Sequence, residues 1–79
     1  MSKVIMRIYV PGSKHRIEGI KLLLERKNYD IFDMKIIESC AYNESGHWLI
    51  MHVDGAKTRN SIAEFLDLRN LRHKVNWAF

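Results

Sequence analysis

The chain has 79 residues, of which 47% are hydrophobic, so it is long enough for one small domain and too apolar for a disordered chain. Thirteen Lys and Arg against nine Asp and Glu give a net charge of +4, which favours an anionic partner such as nucleic acid or an acidic protein. The single cysteine excludes an intramolecular disulfide, no Cys/His spacing resembles a zinc site, and no apolar run could span a bilayer or form a secretory signal. We therefore expect one cytoplasmic domain over residues 1–79, with no cofactor, no metal and no membrane partner.

The first half of the chain predicts a strand, a helix and a second strand. Residues 4–10 are rich in β-branched side chains and end at Pro11-Gly12, which is typical of a strand followed by a turn. Ser13 is a good N-cap, and the residues after it place apolar side chains on one helical stripe: Ile17, Ile20, Leu23 and Leu24. We expect this helix to end near residues 28–30 and a second strand to cover about residues 32–42.

The second half predicts a hairpin, another helix and a short last strand. A four-residue turn, Asn43-Glu44-Ser45-Gly46, leads to a third strand over residues 47–53, which Asp54-Gly55 ends. The second helix carries Ile62, Phe65 and Leu66 at helical spacing and runs to about Asn70, and the last strand covers residues 74–79. The order βαββαβ predicts an α+β, ferredoxin-like fold in which a four-stranded antiparallel sheet carries two helices on one face.

A short internal repeat accompanies the two predicted strand-to-helix turns. The segments Val10-Pro11-Gly12-Ser13-Lys14-His15-Arg16 and Val53-Asp54-Gly55-Ala56-Lys57-Thr58-Arg59 share Val, Gly, Lys and Arg at the same relative positions. A fold built from two βαβ halves predicts such a correspondence, because each half has its own strand-to-helix turn. The alternative is that both turns need a glycine and that the cations are solvated side chains.

The cations of this repeat stand where the helix dipole disfavours them. The N-terminus of a helix carries about half a positive charge, so Lys14 and Arg16, and equally Lys57 and Arg59, are locally unfavourable until an anion binds. We predict two phosphate sites there, at opposite ends of the sheet. The cations expected near helix C-termini are interpreted as structural, with Arg69 and Arg72 beside the first site and Arg26 and Lys27 beside the second.

Strand alternation predicts a second surface, on the open face of the sheet. If Met6 and Ile8 face the helices, the central strands present four other residues together on the opposite side: Arg7, Tyr9, Trp48 and His52. Exposed aromatic rings on a basic sheet are suited to stacking the bases of single-stranded RNA. Equally, an open face that also carries Ile5, Ile37 and Ile50 is apolar enough to be covered by a second copy of the chain.

Three resemblances follow, from the topology, from one loop motif and from the composition. The topology resembles the RNA-recognition module, although residues 45–52 share only Gly46 and an apolar pattern with its third-strand signature. The Val10, Gly12 and Arg16 spacing resembles the phosphate loop of acylphosphatases, which implies that Arg16 would hold a phosphate and Asn43 would orient the attacking water. In its length, basic charge and richness in Ile, Lys, Asn and Met, the chain resembles the small early proteins of T4-like bacteriophages, among them TifA-like RNA-binding toxin inhibitors.

Our leading hypothesis is a non-enzymatic RNA-binding or nucleic-acid-binding protein that acts as a phage-type inhibitor of a host defence or nucleic-acid enzyme, with an acidic protein or toxin as a further partner. One alternative is a protein-binding or homodimeric scaffold that uses the open sheet face. The other is an acylphosphatase-like enzyme.

Overall fold

The six predicted elements are all present, in the predicted order, in the computed structural model, which describes residues 3–41 and 43–76. They are β1 (Val4–Pro11), α1 (Lys14–Lys27), β2 (Ile31–Ala41), β3 (Glu44–Val53), α2 (Ala56–Leu68) and β4 (Lys74–Asn76). The strands form one four-stranded antiparallel sheet in the order β2-β3-β1-β4. The fold is therefore α+β, with two helices added to an antiparallel sheet.

The central pair of strands, β1 and β3, sets the geometry of both strand-to-helix turns. They pair over their whole shared length, from Val4 opposite Val53 to Pro11 opposite Gly46. Because the pair is antiparallel, the turn after β1 and the turn after β3 lie at opposite ends of the sheet. A rise of about 3.3 Å per residue separates these ends by roughly 20–25 Å.

One apolar core lies between the helices and one face of the sheet. Alternate residues of β1 and β3 point into it, and both helices contribute a buried stripe: Met6, Ile8, Val10, Leu49, Met51, Val53, Ile17, Ile20, Leu24, Ile62, Ala63 and Leu66. Burying each large side chain of this kind contributes about 1.5–3 kcal/mol. The predicted core faces of both central strands are confirmed, whereas Leu23 of the predicted helical stripe is only half-buried.

The hairpin between β2 and β3 is tighter than the sequence predicted. Strand β3 begins at Glu44, which pairs with Ala41, so residues 44–46 belong to the strand and the predicted four-residue turn is wrong. Asn43 has a φ of 61°, a left-handed conformation that asparagine tolerates. The predicted ends of β2 at Tyr42 and of β4 at residues 77–79 lie outside the described residues.

Candidate nucleic-acid interface

The turn between β1 and α1 presents a helix N-terminus without a side-chain cap. Ser13 is the N-cap, as predicted, but its hydroxyl makes no capping hydrogen bond, and the first turn of α1 contains no acidic residue. Gly12 adopts a φ of 105°, which favours glycine. The side chain of Arg16 folds back over Gly12, where a Cβ atom would lie 2.7 Å from the Arg16 Cδ. Lys14 is exposed beside them, with its Nζ 3.9 Å from Glu18.

The turn between β3 and α2 repeats this arrangement with one difference. Gly55 has a φ of 132° and is itself the N-cap, so α2 begins one residue earlier, relative to the repeat, than α1 does. No acidic residue occupies the first turn of α2. Lys57 is exposed, whereas Arg59 is half-buried and lines a cavity of about 400 Å³ with Lys3, Val4 and Ile5. The four cations predicted for phosphate sites therefore lie at two similar turns, one pair at each end of the sheet.

The sequence repeat corresponds to a structural one in both its apolar and its glycine positions. Val10 and Val53 both point into the core, and Gly12 and Gly55 both have positive φ. A side chain at either glycine would be strained, since L-residues rarely adopt this region.

The first turn also forms part of the wall of a cavity that the sequence did not predict. Gly12, Ser13 and Lys14 line about 380 Å³ together with Ile36 and Glu38 of β2 and His47 of β3. His47 is only 7% exposed. The signal available in the sequence was the alternation of β3, which places His47 on the same face as Leu49, Met51 and Val53 rather than among solvent-exposed polar residues.

On the open sheet face, the structure brings the predicted residues together but changes the role of one. Tyr9 lies opposite Trp48, and Arg7 and His52 point to the same side of the sheet. Tyr9 is fully buried, so the prediction that its ring is an exposed platform for bases is wrong. Trp48 and Arg7 are half-buried, and the His52 Nδ1 lies 3.8 Å from a carboxylate oxygen of Asp33.

The burial of Tyr9 follows from hydrogen bonds to the β2–β3 hairpin. Its hydroxyl donates to the carbonyl of Glu44, lies 3.3 Å from the carbonyl oxygen of Ser39, and accepts the N–H of Ala41 at 3.3 Å. The ring reaches these groups across Gly46, where a Cβ atom would lie only 2.7 Å from the hydroxyl. Tyr9 is therefore a structural residue that fastens the hairpin to the central strand.

The outer part of the open face is apolar and bordered by cations. The side chains of Phe32 and Ile37 remain 39% and 43% exposed on β2. The Nζ of Lys3 lies 4.5 Å from the centroid of the Phe32 ring, within the range of a cation–π contact.

The cations after the two helices are not distributed as predicted. Lys27 and Arg69, expected at opposite ends of the sheet, both lie on the ring of Phe65, with the Lys27 Nζ and the Arg69 Cζ 5.3 and 4.8 Å from its centroid. Arg72 pairs with Glu44 at the start of β3, at the same end as the first turn, where Ser45 accepts the N–H of Gly12.

The residues implied by the acylphosphatase resemblance lie at one end of the sheet. Arg16 covers Gly12, and Asn43 lies in the hairpin turn whose residue Ser45 bonds Gly12. Pro11 stands where the acylphosphatase loop has Gln, however, and it has no backbone N–H to donate. Within residues 3–41 and 43–76, no group of three or more His, Cys, Asp or Glu side chains could hold a metal ion.

Comparison with known protein families, curated proteins and solved structures found no match for this chain. None of the described helices is long and apolar enough to cross a membrane. The interpretation of the site therefore depends on its own geometry and charge.

Proposed function

We propose that this protein is a small, basic, non-enzymatic nucleic-acid-binding protein whose ligand is RNA. The observation that carries the proposal is the pair of uncapped helix N-termini. Each lies within two residues of a positive-φ glycine, has no acidic residue in its first turn, and carries a Lys and an Arg from the repeat. Backbone amides and cations at a helix N-terminus together form an anion site.

The separation of the two turns favours a polyanion over a small anion. No single phosphate can contact both Lys14 and Lys57, because their turns are roughly 20–25 Å apart. A nucleic-acid chain carries phosphates along its whole length and can engage both ends of the sheet at once. The proposal assigns sequence-independent phosphate contacts to the turns.

A contribution from base stacking falls on Trp48 and not on Tyr9. The Trp48 ring is half-buried on the open face, with Arg7 and His52 on the same side of the sheet. Stacking of one base on an aromatic side chain is worth about 1–3 kcal/mol. This face would distinguish single-stranded RNA, whose bases are accessible, from a duplex.

A salt titration tests the proposal. Fluorescence anisotropy with a labelled single-stranded RNA should give an affinity that falls with salt, with a log–log slope of about −0.7 for each phosphate neutralised. Binding that is absent, or that does not change with ionic strength, would contradict it.

The proposal includes three finer points. The element order βαββαβ and the strand order β2-β3-β1-β4 support a ferredoxin-like topology. The exposed, free Cys40 suits a reducing cytoplasm. The compositional resemblance to phage early proteins supports a role as inhibitor of a nucleic-acid enzyme or toxin.

The identity of the partner can be tested on protein purified from cells. A ratio of absorbance at 260 and 280 nm above that of pure protein would support bound nucleic acid over an acidic protein.

A second candidate function, a homodimeric or protein-binding scaffold, is favoured by the exposed apolar side chains of Phe32 and Ile37. Light scattering coupled to size exclusion should then give a dimer that Ile37→Glu converts to a monomer. Leu22→Glu is the matched control, because Leu22 is 48% exposed but lies on α1. A monomeric wild-type protein would eliminate the dimer.

A further inference from the structure

The open face of the sheet is organised in three rows that cross the strands. His52, Ile50 and Trp48 alternate along β3 and point to this face, and each is flanked by the residues paired with it on β1 and β2. We call these the His52, Ile50 and Trp48 rows. Neighbouring rows lie two residues apart along the strand, a distance of about 6.5–7 Å.

The two outer rows each carry an aromatic ring that is accessible from outside. Phe32 lies opposite His52 and remains exposed. In the other outer row, the Trp48 ring is half-buried and packs against Tyr9. Because four residues of β3 separate these rows, the two platforms lie about 13–14 Å apart.

The middle row carries two cations. Arg7 and Lys35 lie on either side of Ile50, on β1 and β2, with their Cα atoms about 10 Å apart. Neither side chain makes an ion pair with any residue that the structure describes. The Ile50 row therefore places uncompensated positive charge between two aromatic platforms.

This charge decides what can cover the open face. A second copy packed face to face would bring its own Ile50 row against this one, because that row is the middle of the three, and like charges would meet. The acidic residues that border the face are already in contact with basic side chains, since Asp33 lies 3.8 Å from His52 and Glu44 is bonded to Arg72. A polymer that alternates planar groups with negative charges matches the order of ring, cations and ring.

We propose that a single strand of RNA binds along β3 on this face, with one base on Trp48, another on Phe32 and the connecting phosphates on Arg7 and Lys35. The inference rests on the proposed RNA function and deepens it, because it assigns the strand a path and a second stacking residue. Successive nucleotides of a stacked helical strand rise by only about 3.4 Å, so two bases about 13–14 Å apart belong to an extended strand with splayed bases. The site therefore selects unstacked single strands.

The Lys3 ammonium, 4.5 Å from the centroid of the Phe32 ring, does not block this platform. An exposed cation–π contact is weaker than base stacking, so a base displaces the flexible lysine side chain from the ring. The displaced ammonium stays close enough to contact the next phosphate. Phe32 and Lys3 thus offer a ring and a cation to the same nucleotide.

Two labelled probes of equal length test the inference: an octamer of uridine, and the same ribose-phosphate backbone without bases. In anisotropy titrations the wild-type protein should bind octauridine more tightly than the abasic strand. Phe32→Leu and Trp48→Leu should each weaken octauridine binding about fivefold or more, the effect of one lost stack, without changing the affinity for the abasic strand. Phe65→Leu is the matched control, because this half-buried ring packs on the helical side of the sheet and should leave the ratio of the two affinities unchanged.

The cations of the middle row have a separate readout. Lys35→Gln should weaken binding of both probes by the same factor and reduce the log–log salt slope by about 0.7. Arg26→Gln, in the last turn of α1, is its control and should leave the slope unchanged. Phe32 is exposed, so its variant stays informative if Trp48→Leu does not fold.

The outcomes separate this inference from the proposed function. Equal, salt-dependent affinity of the wild-type protein for the two probes would overturn the inference and leave the phosphate contacts at the two turns standing, and a base preference that survives Phe32→Leu would overturn the two-ring path. Octauridine binding that is weakened by Phe32→Leu and Lys35→Gln, but unchanged when Lys14 and Lys57 are replaced by Ala, would support the path and overturn the role of the turns. No binding of either probe would overturn both, and a dimer found by light scattering would then assign this face to a second copy.

Discussion

Tyr9 and Trp48 lie directly opposite each other on β1 and β3, with ring centroids 5.1 Å apart and ring planes inclined by 59°. This tilted arrangement is one that aromatic pairs prefer. The two partners differ in exposure, since Tyr9 is fully buried and Trp48 is half-buried. The Trp48 ring therefore packs against a buried tyrosine ring, whose position is fixed by hydrogen bonds between the Tyr9 hydroxyl and the hairpin.

Removing that hydroxyl should loosen the hairpin. Tyr9→Phe leaves the ring in place but deprives the Ala41 N–H and the Glu44 carbonyl of a partner. We expect the free energy of unfolding in urea to fall by about 1–3 kcal/mol, the usual cost of unpaired buried polar groups. Tyr29→Phe is the control, because Tyr29 is half-buried and packs against Phe65, and its change should stay within about 0.5 kcal/mol. Equal losses in the two variants would contradict the assigned role of Tyr9.

Gly46 should not tolerate a methyl group. A Cβ atom there would lie 2.5 Å from the Val10 carbonyl oxygen and 2.8 Å from the Pro11 Cα, and backbone atoms cannot move aside as a flexible side chain can. Gly46→Ala should lower the free energy of unfolding by at least about 1–3 kcal/mol. Gly19→Ala is the contrasting variant, because a Cβ atom in the middle of α1 meets nothing within 4 Å. It should raise stability by about 0.5–1 kcal/mol. A neutral Gly46→Ala would mean that β1 and β3 can separate at this end.

The repeat's cations lie where the helix dipole disfavours them, and thermal melts of the free protein should show that they lower its stability. Lys57 is exposed in the first turn of α2, where the dipole disfavours it, and Arg26 lies in the last turn of α1, where the dipole favours it. Lys57→Gln should therefore raise the stability, and Arg26→Gln should lower it, by about 0.3–1 kcal/mol at low salt. Both effects should shrink in high salt, where exposed charges are screened. Changes of the same sign would refute the dipole explanation.

RNA binding should depend on the two turns independently. With a 5′-hydroxyl RNA, Lys14→Ala and Lys57→Ala should each weaken binding, and the double variant should lose about the sum of the two free energies. Sites more than about 7–10 Å apart usually add within about 0.5 kcal/mol. Anisotropy titrations of the single and double variants measure this directly. Loss of binding from one substitution alone would indicate that only one turn contacts the RNA.

The elements of the fold were accessible from the sequence because their signals are local. The alternation of residues 4–10 and 47–53, the Ser13 cap and the spacing of Ile17, Ile20 and Leu24 each depend on neighbours within a few residues. The repeat around Gly12 and Gly55 was visible for the same reason, since a positive φ after a strand strongly favours glycine. Element boundaries were less certain, and β3 begins three residues earlier than predicted.

The sequence by itself determined the order of the elements, the core faces of the central strands and the cations at the two helix N-termini, because periodicity and charge are properties of short segments. Only the tertiary structure decided the burial of Tyr9, the meeting of Lys27 and Arg69 on Phe65, and the cavity around His47. These features join residues from separate elements. Tyr9 is covered by a hairpin, and even the nearest hairpin residue that its hydroxyl contacts, Ser39, is 30 positions away in the sequence. No local sequence pattern predicts which carbonyl groups that hydroxyl will contact.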